Sequence, residues 1–472
     1  MSLGLSALIG QVANFGFVIL VARGFGRDVF AQYALSMAIG ALICTVVSFG
    51  STHLLVRSSA QSSAHGLEML GVILPVQWIL GIGIFAITIA SGFLTNMSVD
   101  NLCILASIVA HHVIFRITAV LVAQLQGMER MDIVAALRIS RSLVTLIAAL
   151  IIALTTKNPI LAVASMPITS FLVLLSAGAI VRRLVGPLNL RWDHTAAWHI
   201  AIQAFPFFII AMLTAAGNRI GILILSAFHG NDGVATYASG ERIITAVAVL
   251  YSMLTGATLP AVSRLAPIDP ERHSEVVNRL VRIVMLFVLP AATLLFLFSG
   301  DIIALLFGQE FISSVPILKI VSGVLVARSI ISVQAMLAVS IGRQRDVLVG
   351  RVVEVTLLVL VGLPLIRAVG PIGLAYTVLV AEFGQAAVLY VLLHRAGTMF
   401  SLPRLAGATV ASCAITLVLG ALLPALHVIP RVLLIVGCMF SALWLLGAIR
   451  RHDIMYFLAI IKTDRSNHSD ST

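Results

Sequence analysis

The sequence predicts an all-α membrane protein of about fourteen transmembrane helices: two parallel six-helix lobes followed by two further helices. Three observations lead there. Sixty per cent of the residues are hydrophobic and a tenth are charged, against about a quarter charged in a soluble domain, and the mean hydropathy is +1.10. The apolar runs recur at about 20 residues, the length at which a helix crosses roughly 30 Å of hydrocarbon. The runs are also continuous, whereas barrel strands would alternate polar with apolar, so helices satisfy the backbone in lipid.

Apolar windows and polar breaks place the helices at about 3–22, 30–55, 67–91, 102–125, 133–154, 159–181, 199–228, 234–259, 280–299, 315–340, 347–366, 371–393, 403–423 and 428–449. The opening MSLGLSALIG lacks a basic n-region and a small-residue cleavage site, so the first helix is expected to stay. Two connections are longer than a tight turn: 182–198, with Arg182, Arg183 and Arg191, and 260–279, where acidic and basic residues alternate. Neither has room for a catalytic domain. After Arg450 a short amphipathic stretch, RHDIMYFLAIIK, fits the membrane interface, and a polar, disordered end is expected beyond it. The resulting division is an N-lobe at 1–183, a cytoplasmic linker at 184–198, a C-lobe at 199–395, two helices within 396–449 and a cytoplasmic tail at 450–472.

With the amino terminus inside, eighteen basic residues fall in inner connections and the tail, among them Arg57, Arg130, Arg264, Arg272, Arg279 and Arg282. The outer connections hold Arg23, Arg27, Lys157, Arg367, Arg431 and the borderline Lys319. The positive-inside rule therefore places both termini in the cytoplasm. The same topology accounts for the net charge of +11. No basic domain or aromatic platform points to nucleic acid.

Three internal matches give the two six-helix copies. At an offset of 204, GRDVFAQYA (26–34) lies over GNDGVATYA (230–238), and Asn14 falls on Asn218. At 212, NPI (158–160) meets GPI (370–372), each opening a helix that ends at Arg183 or Arg395. At 215, GMER (127–130) meets GRQR (342–345). Six is even, so both copies enter from the same side and the repeat is parallel, an arrangement in which transporters hold substrate between the halves.

Charges inside spanning helices cost about 2.5–3.5 kcal/mol each and normally face a polar cavity or a partner. Arg116 lies about nine residues before the inner end of its helix, and Arg138 and Arg141 about six and nine residues into the next, so the three agree in depth within a turn. Asn218, Arg219, Glu241 and Arg242 share a similar depth on the outer side, while Arg328, Glu354 and Glu382 lie inside later helices. One reading makes these structural ion pairs or snorkelling side chains, above all Arg328 with Glu382, and Arg138. The other is a cavity for an anion, because arginine keeps its charge and grips phosphate oxygens bidentately.

Chemistry motifs are weak. GFG at 24–26 sits in an outer turn, there is no HExxH, and the adjacent His111 and His112 diverge by about 100° on a helix, a poor metal pair. The four cysteines lie in apolar runs without metal spacing. No catalytic residue, metal or cofactor is expected. Pro75, Pro167, Pro206, Pro290, Pro316 and Pro364 interrupt or open helices, and ordinary packing kinks account for them by default.

ARGFGRDVFAQYALSM (22–37), ATYASGERI (235–243), TLPAVSRL (258–265), IIALLFGQEF (302–311), IGRQRD (341–346) and GPIGLAYT (370–377) resemble, in order, segments of bacterial Wzx-type polysaccharide flippases. These belong to the multidrug/oligosaccharidyl-lipid/polysaccharide exporter superfamily. The resemblance implies two six-helix lobes in a V around a central cavity, lined mainly by helices one, two, seven and eight. It implies a lipid-linked oligosaccharide substrate, typically on undecaprenyl pyrophosphate, moved from the inner to the outer leaflet of the bacterial cytoplasmic membrane for polysaccharide or lipopolysaccharide synthesis. A polysaccharide polymerase and chain-length machinery are implied partners, together with membrane lipids. The resemblance draws Arg23, Arg57, Asn218, Arg219, Glu241 and Arg242 toward the cavity. With Arg116 and Arg141 from the depth argument, the expected substrate contacts are Arg23, Arg57, Arg116, Arg141, Asn218, Arg219 and Arg242, and Glu241, Glu354 and Glu382 serve ion coupling or salt bridges. Two alternatives stand beside this reading: a cation-coupled multidrug exporter of the same superfamily, whose cavity would favour carboxylates, and a membrane-embedded polymerase or ligase, which would need a sizeable outer loop.

Overall fold

A computed structural model describes residues 3–397, 402–422 and 428–445. The expected interfacial stretch and polar tail after Arg450 lie outside the described residues. No strand occurs among those residues. Helices run α1 Leu3–Ile43, α2 Thr45–Ser48, α3 Ser51–Gln61, α4 Ser63–Leu94, α5 Val99–Gly127, α6 Met131–Thr155, α7 Pro159–Leu184 and α8 His194–Leu265. They continue with α9 Pro270–Leu297, α10 Ser299–Leu306, α11 Val315–Ser340, α12 Gln344–Leu360, α13 Gly362–Val369, α14 Pro371–Arg395, α15 Leu402–Leu422 and α16 Val428–Leu445. Nine helical spans among the described residues are long and apolar enough to cross a membrane. The pair α12 and α13, bent by 40°, meets the same test jointly.

Two of the long helices each carry two of the predicted segments. Gly26 (φ 85°) divides α1 and Gly230 (φ 58°) divides α8. Both glycines sit in the left-handed half of φ space, which a side chain would disfavour, so each lets the chain turn between two apolar runs. Their spacing is the 204-residue offset of the sequence repeat. The NPI and GPI matches open helices in the same way: Asn158 accepts hydrogen bonds from the Ile160 and Leu161 N–H groups ahead of α7, and Gly370 (φ 66°) precedes Pro371 of α14.

The predicted helix 30–55 differs in the structure. It runs on through α2 to Ser48 and breaks at Phe49 (φ 41°) and Gly50 (φ 72°), both left-handed, before α3 starts at Ser51. The segment CTVVSFGS is apolar enough to pass a hydropathy window, so nothing in its composition marks the break. Its cause is tertiary. A Cβ on Gly50 would stand 2.6 Å from both the Ala204 carbonyl oxygen and the Phe208 nitrogen of α8, so only glycine allows this approach. Phe49 stacks on Phe208 at 4.5 Å beside the break. The long connections also shorten: α8 runs to Leu265 and α9 starts at Pro270, while α7 ends at Leu184 and α8 begins after Asp193. Asp193 caps α8, its carboxylate held below the usual range by the Ala196 N–H and the Thr195 hydroxyl.

The described chain divides into two compact units. The first comprises Met1–Ala238 with Leu358–Leu374, the second Ser239–Leu357 with the chain from Ala375 onward. In the first, α5 packs against α7 and α1 against α6. Leu55, Leu70, Val109, Ile117, Leu125 and Val181 form its buried core. The other faces of α6 and α7 leave Ile147, Ile151, Leu172 and Leu175 exposed, as a lipid-facing surface requires. In the second, α9 packs against α11 and α15, and Met439 and Leu443 of α16 pack against Leu286 and Leu294.

Candidate functional site

The first unit gathers cations on its buried helices. Arg116 projects from α5 toward the end of α1, where its Nη2 donates to Thr45 Oγ1 (3.0 Å) and the Ala41 carbonyl oxygen (3.5 Å). Its Nε is buried without a hydrogen-bond partner among the described residues. Thr45 Oγ1 itself donates to the Ala41 carbonyl oxygen at 2.8 Å, so Arg116, Thr45 and Ala41 form one hydrogen-bonded group. On α6, Arg141 places its guanidinium 4.3 Å from the centroid of the Phe115 ring, a cation–π contact. One turn along α5, His111 Nδ1 lies 2.8 Å from Ser170 Oγ and 3.3 Å from the Met166 carbonyl oxygen.

His112 sits at the centre of this group. It lies within electrostatic reach of Arg116, Arg141 and Arg219, and its Nε2 is buried without a hydrogen-bond partner among the described residues. Gly40 of α1 makes room for the ring, since a Cβ there would stand 2.6 Å from His112 Cδ2. Neither Arg116 nor Arg141 has a carboxylate within ion-pair distance among the described residues. The group thus combines fixed positive charge with two buried nitrogens, Arg116 Nε and His112 Nε2, that have no hydrogen-bond partner among the described residues.

The second unit pairs its buried carboxylates with arginines. Arg328 of α11 donates from Nε to Glu382 Oε1 at 2.8 Å, and its Nη1 lies 3.6 Å from Glu241 Oε1. Thr245 also donates to Glu241 Oε1 at 2.9 Å. Arg351 Nη1 pairs with Glu354 Oε2 at 2.6 Å. Glu354 and Glu382 are buried, 1% and 4% exposed. A buried carboxylate needs such a partner to remain charged.

Of the sequence-predicted residues, the structure thus brings Arg116, Arg141 and Arg219 together around His112, and Glu241 with Glu382 through Arg328. Arg219 is half-buried and already engaged by a neighbour, as is the buried Arg242. Arg23, Arg57 and Arg138 are exposed and carry no ion pair among the described residues. Asn218 is exposed, its amide donating to the Thr214 carbonyl oxygen at 2.9 Å. Sequence reasoning left out Arg27, whose Nε donates to Asp232 Oδ1 at 2.8 Å and whose Nη2 donates to Thr236 Oγ1 at 2.6 Å. The clasp ties the Gly26 turn to the Gly230 turn. The 204-residue repeat held the signal for it, because it pairs these two turns. Among the described residues no cluster of histidine, cysteine, aspartate or glutamate could hold a metal.

The model of a family described as polysaccharide biosynthesis protein matches residues 1–266, more than half of the chain. The chain belongs to that family. Solved structures share its fold over 83% to 96% of the chain. The lipid II flippase MurJ in an inward closed conformation superposes with a TM-score of 0.79 at 14% identity, covering 96% of this chain and 99% of that one. An inward-facing multidrug resistance MATE family transporter of the MOP superfamily gives 0.64 at 14% identity, over 83% and 97% of the two chains. A MOP superfamily transporter from Pyrococcus furiosus gives 0.62 at 15%, over 84% and 96%. No curated protein matches the chain. The family is thus one of polysaccharide biosynthesis proteins, and the fold is shared with a lipid II flippase and with multidrug transporters.

Proposed function

We propose that this protein translocates a lipid-linked oligosaccharide, carried on undecaprenyl pyrophosphate, from the inner to the outer leaflet of the bacterial cytoplasmic membrane by alternating access. Lipopolysaccharide or exopolysaccharide synthesis would use the product, with a polymerase and chain-length machinery downstream. Residues 1–183 and 199–395 serve as the two lobes, helices at 403–423 and 428–449 are additions, and both termini are cytoplasmic. The observation that carries this reading is the unpaired cationic group of Arg116 and Arg141 around His112. Pyrophosphate supplies the oxygens that these donors lack, and the prenyl tail stays in lipid while the head group crosses. Arg219 joins the same group, and Arg23, Arg57, Asn218 and Arg242 serve the head group along its path. With a negative interior, outward movement of an anion gains about 2.3 kcal/mol per charge per 100 mV over the full field, so ion coupling is not required.

The test is a reconstituted flipping assay. Arg116→Gln and Arg141→Gln are each expected to slow translocation at least about tenfold, the effect of losing ~1.4 kcal/mol of anion binding, while Arg138→Gln leaves it within about twofold. Wild-type rates in both buried variants would overturn the anion role. The multidrug-exporter reading draws on the carboxylates Glu241, Glu354 and Glu382. All three are held by arginines, which favours the salt-bridge role for them.

A further inference from the structure

A pocket of about 570 Å³ opens where α8 turns into α9, within the second unit. Arg264 and Ile268 line it from the end of α8 and its turn, and Arg272, Glu275, Val276 and Arg279 from the first three turns of α9. The spacings 264 to 268 and 272, 275/276, 279 each describe one helical face, so two faces converge and three guanidinium groups share one space. Here Arg264 and Arg272 make no ion pair among the described residues, although Asp269, Glu271 and Glu275 lie within a few positions. Asp269 is committed to the helix, accepting from the Arg272 backbone N–H at 2.9 Å, and Glu275 lies 3.7 Å from Arg279. Two cations therefore remain for an external anion. The wall is not purely polar: Ile268 is 79% exposed at the rim, and Val276 continues the apolar side.

We propose that this pocket binds the phosphodiester headgroup of an anionic phospholipid, with the arginines on the phosphate and Ile268 against the glycerol and upper acyl chain. A guanidinium pair matches phosphate oxygens bidentately, and basic pockets beside membrane helices recognise such headgroups. The exposed isoleucine favours a lipid over a free ion, which would gain nothing from it. The proposal stands apart from the cluster around His112 and does not depend on the transported substrate.

The experiment compares the full-length protein in nanodiscs of phosphatidylcholine alone and with one third phosphatidylglycerol, reading the melting midpoint, and counts retained phosphatidylglycerol by native mass spectrometry. The expected result is a higher midpoint with phosphatidylglycerol and at least one retained molecule. In Arg264→Gln/Arg272→Gln, both effects should fall by at least about threefold, whereas Arg264→Lys/Arg272→Lys keeps most of them. Both double variants must show wild-type helical circular dichroism, and the lysine variant keeps the proposal testable if the glutamine one unfolds. Unchanged phosphatidylglycerol preference in the glutamine variant, no preference in the wild type, or full reproduction of the midpoint shift by inorganic phosphate would each overturn the proposal.

Discussion

At the scale of single residues, the two units treat buried charge in opposite ways. Arg328 is shared between Glu382 at 2.8 Å and Glu241 at 3.6 Å, so its charge is neutralised inside the protein. Removing one member of a buried pair leaves the other uncompensated, at a cost of about 3–5 kcal/mol, whereas replacing both by apolar residues of similar size is often neutral. Glu382→Gln should therefore lower the melting midpoint markedly, and Arg328→Met/Glu382→Met should recover much of the loss. A double variant no more stable than the single one would show that the ion pair matters for more than charge balance. Arg116 and Arg141 have no such internal partner, so their removal should cost translocation far more than stability. These two arginines were legible in the sequence because an apolar window makes any charge conspicuous and the helical rise fixes its depth. Arg328 with Glu382 was legible as a structural pair from the mid-helix depth of both residues, whereas Glu241 as a second partner was not, because that contact depends on packing between segments far apart in the chain.

At the scale of helices, backbone breaks rather than side chains decide where the chain turns. Gly26 and Gly230 were foreshadowed by the repeat, since an interrupted helix needs the same permissive residue in both copies. The break at Phe49 and Gly50 was hidden, because its reason is the backbone of α8 pressed against Gly50 from more than 150 positions away. Gly50→Ala should destabilise the protein by more than the ~1–2 kcal/mol of left-handed strain alone, since the added carbon also meets two backbone atoms; a thermal melt of the purified protein checks it, and an unchanged midpoint would mean that α3 and α8 can separate freely. The Arg27 to Asp232 clasp makes a different prediction. Asp232 is 82% exposed, so the pair contributes only about 0–1 kcal/mol. Asp232→Ala should hardly move the midpoint, yet a cysteine placed at Thr236 should react several-fold faster with an aqueous thiol reagent than it does with the clasp intact.

At the scale of the whole molecule, composition and periodicity conveyed the class because the bilayer dictates both: few structures besides membrane-spanning helices need continuous apolar runs of one fixed length. The resemblance to exporters rested on short degenerate segments; the family match over residues 1–266 shows a polysaccharide biosynthesis protein, and the fold is shared with MurJ. What the linear pattern leaves open is the ligand, since an arginine that suits pyrophosphate suits other phosphates too. Deleting the gene settles that at the level of the cell. A lipid-linked glycan should accumulate in the inner leaflet; raised drug sensitivity without such accumulation would favour the multidrug-exporter reading.

The clasp between the two glycine turns also sets a clock for biogenesis. Arg27 and Asp232 are 205 residues apart, and translation proceeds at about 5–20 residues per second. The first turn thus waits on the order of 10–40 s after its own synthesis before its counterpart leaves the ribosome. During that interval α5, α6 and α7 emerge and give α1 its packing partners, so the turn at Gly26 is set by packing before the clasp forms, and Arg27 keeps its charge in water or among headgroups until Asp232 arrives.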